Sequence, residues 1–131
     1  MSFYTINQSA KLEAVADNAF HREHEIFAYD LNIENYEAIL AAMPQEDWPA
    51  ELVQYKDATL DLVPDDLDQV VSQYQYRDRI RFLIKTERAE RAKSFAVYQA
   101  LISQIPESDR EQTLLQAKQR AEARIATTSA Q

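Results

Sequence analysis

Glycine is absent from all 131 residues, and so is cysteine. Glycine is the residue that takes a backbone through φ > 0 without steric cost. Phosphate-binding loops, dinucleotide-binding turns and two-residue β-hairpins lean on it. A chain without it is expected to be built of helices joined by turns that avoid the left-handed region. The lack of cysteine excludes a disulfide frame, a thiolate zinc site and a cysteine nucleophile. Long apolar runs are missing too. The longest covers residues 38–43, far short of the roughly 20 residues that a membrane-spanning helix needs. Residues 1–4 carry neither the basic nor the apolar stretch of a signal peptide, so a cytoplasmic protein without membrane association is expected. No serine sits on the sharp, glycine-flanked turn that serine hydrolases use.

What is present is enough for a core. Hydrophobic residues make up 46% of the chain, with seven Tyr, five Phe and one Trp, which argues against disorder as the main state. One domain is the natural reading at this length. The net charge of −8 conceals a polarity. Residues 1–70 hold 15 acids against 3 bases, or −12, and residues 71–131 hold 7 acids against 11 bases, or +4. Three readings follow: the two halves neutralise each other, the acidic half offers a face to a basic partner, or the charge only keeps the surface solvated.

Pro44, Pro49, Pro64 and Pro106 are the only prolines, and they punctuate an otherwise helical pattern. Leu12, Val15, Ala16, Ala19, Phe20 and Phe27 have helical spacing and predict a helix over 9–28. Asp30 or Asn32 is suited to cap a second helix carrying Ile33, Tyr36, Ile39, Leu40 and Met43, stopped by Pro44. Asp47 ahead of Trp48 and Pro49 reads as the start of a short helix reaching about residue 57. Pro64, Asp65 and Asp66 open a stretch with acids at its positive end. From there the pattern fits either one long helix over 65–104 or two helices broken near residue 77. Ser108 or Asp109 caps a final helix, and 127–131 is expected to be a frayed tail.

One internal likeness stands out. Tyr36, Ala38, Pro44, Asp47, Leu52, Gln54 and Lys56 recur as Tyr98, Ala100, Pro106, Asp109, Leu114, Gln116 and Lys118, and Phe20 recurs as Phe82, all at an offset of 62. This marks 33–57 and 95–119 either as a duplicated helix–turn–helix unit or as two helices obeying the same stop-and-restart grammar. The expected fold is an all-α, single-domain bundle of four to six helices over 1–126. One arrangement is two related hairpins joined by a long central helix. That helix, apolar at its ends and charged in its middle, suggests a homodimer with 65–104 as the seam.

Catalytic constellations are hard to find. His21 and His24 lie one turn apart beside Asp17 and Glu25, but their spacing matches neither the zincin pattern nor a di-iron bundle motif, so no metal site or cofactor is expected. Asp65, Asp66 and Asp68, like Glu46 and Asp47, serve more naturally as helix caps than as acid/base pairs. Arg77, Arg81, Lys85 and Arg88 would share one helix face, but Asp78, Glu87 and Glu90 interrupt it, so direct nucleic-acid binding is not expected. Trp48 is suited either to lid the core or to anchor a partner. The reading is therefore a non-enzymatic protein-interaction module: an adaptor, inhibitor or assembly factor. Size and composition of this kind are common among viral and mobile-element accessory proteins. Its candidate contact residues are Glu46, Asp47, Trp48, Asp65, Asp66, Arg77, Arg81 and Arg88. Two alternatives remain: a self-assembling, chaperone-like helical protein, and an acidic mimic of nucleic acid.

Overall fold

The computed structural model describes the backbone of residues 3–130 and the side chains of residues 9–127. All regular structure among these residues is helical. Three α-helices, α1 (Phe3–Ala41), α2 (Asp68–Ser103) and α3 (Arg110–Ala130), are joined by segments containing single 3₁₀ turns at Val53–Tyr55, Leu60–Leu62 and Glu107–Asp109. Among the described residues no φ is positive, so a chain without glycine makes its turns from 3₁₀ and extended backbone instead.

The all-α class holds, but the expected count of four to six helices is corrected to three. The two helices expected over 9–28 and 33–43 are one. Asp30 and Asn32 do not cap anything, because Ile26, Tyr29, Ile33, Tyr36 and Leu40 carry a half-buried 3/4 stripe straight through them. Burial of that stripe outweighs the local capping preference of two polar residues. The short helix expected from Asp47 to about 57 is also not formed as an α-helix. Pro49 accepts from the Leu52 amide, and Val53–Tyr55 makes a single 3₁₀ turn. The stretch 65–104, by contrast, is continuous as α2, and Leu67 donates to Pro64 in the turn that leads into it.

The ends of α1 and α2 are alike. Ala42 and Met43 donate to Ile39 and Leu40, and Gln104 and Ile105 donate to Leu101 and Ile102, the same bonds shifted by 62 residues. Proline follows in both cases. Without a left-handed cap, side chains cover the orphaned carbonyls. Gln45 donates to Leu40 and Met43 (3.0 and 2.7 Å), and Arg110 donates to Ile105 (3.0 and 3.3 Å). Beyond the prolines the paths diverge: residues after Pro44 form turns, whereas those after Pro106 enter α3.

The chain divides into two compact units, Met1–Ala28 with Glu90–Gln131, and Tyr29–Ala89. The first contains the early part of α1, the last turns of α2 and all of α3. Its core is Val15, Ala16, Ile105 and Ala117, with Phe20, Leu101 and Leu114 against it. Ala16, Ala19 and Ala117 have no exposed surface, so small side chains let helix backbones approach closely. Ser94 is buried and donates to Glu25 at 3.0 Å, and Arg120 grips Asp17 at 2.8 Å. The second unit pairs the last turns of α1 with the first turns of α2 in antiparallel fashion, Asn32 meeting Glu87 while Pro44, further along, meets Arg77. Leu52, Val63 and Val71 form its core, flanked by Trp48, Tyr55, Ala58 and Leu67.

Candidate interaction surface

Glu46, Trp48 and Arg77, read from the sequence as contact residues, come together in the second unit, Arg77 buried, Trp48 half-buried and Glu46 exposed but bonded to its neighbours. The segment 44–63 has little regular structure, so its carbonyls need partners from elsewhere. One strip of α2 supplies them. Arg77 donates to the carbonyls of Pro44 (3.1 Å) and Glu46, and Gln75 donates to those of Tyr55 (3.0 Å) and Ala58 (2.8 Å). The Trp48 indole donates to Asp78 at 2.8 Å and its ring lies 5.1 Å from that of Tyr74. The Tyr74 hydroxyl donates to the Glu46 carboxylate at 2.5 Å.

This knot explains the electrostatics of its members. The Glu46 carboxyl is held below its ordinary value, chiefly by the Tyr74 hydroxyl bond and then by backbone amides. The same bond raises the Tyr74 phenol above its ordinary value. Arg77 is only 1% exposed, its guanidinium 4.8 Å above the Tyr74 ring and 3.2 Å from Asp78. It was expected on an open basic face. That reading is corrected: Arg77 is the clamp on the 44–63 segment, because an arginine fork satisfies irregular carbonyls that no helix bond reaches.

The remaining candidates scatter. Asp47 is exposed in irregular backbone, and Asp65 and Asp66 are exposed in the turn ahead of α2. Arg81 stands 3.9 Å from Asp78, and Arg88 pairs with Glu37 at 2.6 Å. Both pairs are solvent-facing and contribute little. His21 is exposed and lies 3.2 Å from Glu25, while the His24 and Phe20 rings meet in a T-shaped pair with centroids 4.8 Å apart. Among the described residues no group of three or more His, Asp or Glu side chains is placed to hold a metal ion. Glu25 is held below the usual carboxylate range by its bond from Arg22 and then by that from Ser94. Among the described residues no helix is long and apolar enough to cross a membrane.

A different surface presents apolar side chains to solvent. In the first unit, α1 and α3 flank a groove of about 700 Å³ lined by Phe20, His24 and Phe27 on one side and by Leu114, Leu115, Ala121 and Ile125 on the other. Phe27 is 61% exposed and Ile125 is 65% exposed. Phe20, His24 and Phe27 fall on one face of α1, and Leu114, Lys118, Ala121 and Ile125 on one face of α3, both at 3/4 spacing. The charged side chains lining it are Glu23, Glu111, Glu122 and Lys118. The sequence reading used Phe20 and Phe27 in the apolar spacing of a helix, and Leu114 as a match to Leu52. The signal it had was surplus: α1 and α3 each carry more apolar positions than one neighbour can cover. No family model matches the chain, and neither the curated proteins nor the solved structures compared with it contain a match.

Proposed function

We propose that this protein acts by binding another protein, as a non-enzymatic adaptor, inhibitor or assembly factor, and that the α1/α3 groove is where the partner docks. The observation that carries this reading is the exposure of Phe27, Leu115 and Ile125 along one apolar groove. Side chains of this size left open side by side are characteristic of surfaces meant to be covered. The residues first suggested for contact support the reading indirectly: Trp48 and Arg77 are engaged in holding the second unit together. Self-association along α2 is a second reading, favoured by the exposed Phe82 (66%) on that helix. Against it, Val71, Tyr74, Ile80 and Ile84 spend their apolar faces inside the chain. The test is affinity capture from cells that encode the protein, comparing the natural chain with a Phe27→Ser/Ile125→Ser double variant. A protein retained by the first and lost by the second supports groove docking, and identical captures refute it.

A further inference from the structure

The groove's shape and its charge together identify the chemistry of its occupant. Its walls are two helices whose apolar residues repeat every three or four positions, so the complementary object is a third helix with an apolar stripe at i, i+3/i+4 and i+7. On α3 the stripe runs from Leu114 to Ile125, about 16 Å of helix axis, which matches about three turns of a visiting helix. An apolar stripe alone does not choose between partners. The charged lining does: it carries three carboxylates, Glu23, Glu111 and Glu122, and one ammonium, Lys118. Burial, with the nearby Glu23 charge adding to it, holds the half-buried Tyr98 phenol above its ordinary value. This excess of carboxylates repels acidic visitors and attracts basic ones. A second copy of the chain is disfavoured at long range, since each copy carries a net charge of −8.

We infer that the α1/α3 groove binds a cationic amphipathic helix of a partner protein, its apolar stripe seated between Phe27 and Ile125 and its Lys or Arg side chains reaching Glu23, Glu111 and Glu122. This rests on the docking role proposed above and adds the partner's charge and conformation. The probes are fluorescein-labelled peptides of about 14 residues that share one apolar composition. One is a Leu/Lys amphipathic helix, one has the same residues with the apolar period scrambled, and one carries Glu in place of Lys.

Anisotropy titrations of the full chain are expected to show the Leu/Lys helix binding about tenfold or more tighter than either control. Phe27→Ser and Ile125→Ser each weaken it about tenfold without changing far-UV circular dichroism, since both side chains are exposed. Glu23→Lys/Glu122→Lys exchanges the preference, so that the Leu/Glu helix now binds tighter. Raising salt to about 0.5 M weakens the Leu/Lys complex several-fold.

Equal binding of the Leu/Lys and Leu/Glu helices, both lost in Phe27→Ser, overturns the charge assignment while leaving groove docking intact. Equal binding of the amphipathic and scrambled cationic peptides shows undirected charge attraction and overturns the inference. So does binding of no peptide. A sedimentation mass that doubles with concentration in the natural chain and not in Phe27→Ser makes a second copy the occupant, and overturns it as well.

Discussion

Replacing Arg77 with alanine is expected to release the 44–63 segment and remove a large part of the chain's stability. Arg77 donates to the carbonyls of Pro44 and Glu46, covers the Tyr74 ring at 4.8 Å and meets Asp78 at 3.2 Å. Each bond from a charged donor contributes about 1.5–3 kcal/mol, and the ring contact adds about 1 kcal/mol. Asp78 is 31% exposed, so that pair is screened and contributes under about 1 kcal/mol. Water reaching the freed carbonyls recovers part of the loss. The net expectation is about 3 kcal/mol, against a total of about 5–15 kcal/mol for a folded domain.

With a urea dependence of about 2 kcal/mol per molar, the midpoint should fall by about 1.5 M. Trp48 is the only tryptophan and sits within the knot, so its fluorescence reads the segment directly while circular dichroism reads the helices. Arg77→Met, which keeps volume but not donors, should lose nearly as much. Arg77→Lys keeps one charge but not the fork, and should lose about half. A midpoint shift below about 0.3 M in Arg77→Ala, or natural stability in Arg77→Met, would refute the clamp.

Two further outcomes follow from the first unit. Ala117 has no exposed surface and packs with Val15, Ala16 and Ile105, so Ala117→Leu should cost about 1–3 kcal/mol through overpacking, read as a lowered thermal midpoint. The same change at exposed Ala123 should be silent. Glu25 is held below its ordinary value of 4.5 by Arg22 and Ser94. The native state thus favours the carboxylate, and its contribution is present above about pH 4.5 and lost as pH falls through the lower folded value. Glu25→Gln should accordingly be less stable than the natural chain near pH 7, by a margin that shrinks as pH falls below about 4.5, and a difference that grows towards acid would contradict the assignment.

Much of this architecture was legible in composition and punctuation. With no glycine, turns had to avoid φ > 0, and among the described residues they do. Pro44 and Pro106 mark two helix ends with the same closing bonds, because a proline that follows a helical turn has no N–H to continue the ladder and its ring clashes with the carbonyl four residues back. Residue 77 could not be judged in this way. An arginine within an apolar stripe reads either as a break or as an exposed cation, and only the proximity of the irregular 44–63 carbonyls makes it a buried donor.

The same limit applied to Asp30 and Asn32. Their capping chemistry is local, whereas the stripe that carries α1 through them is stabilised only by what packs against it. Sequence by itself determined the helical class, the stops ahead of Pro44 and Pro106 and the overall acidity, since these follow from backbone sterics and counting. Tertiary structure alone decided how many helices there are, which of Trp48 and Phe27 is the more exposed, and which side chains line an open apolar groove. Each of those depends on which of several possible neighbours is present, a quantity that no local spacing contains.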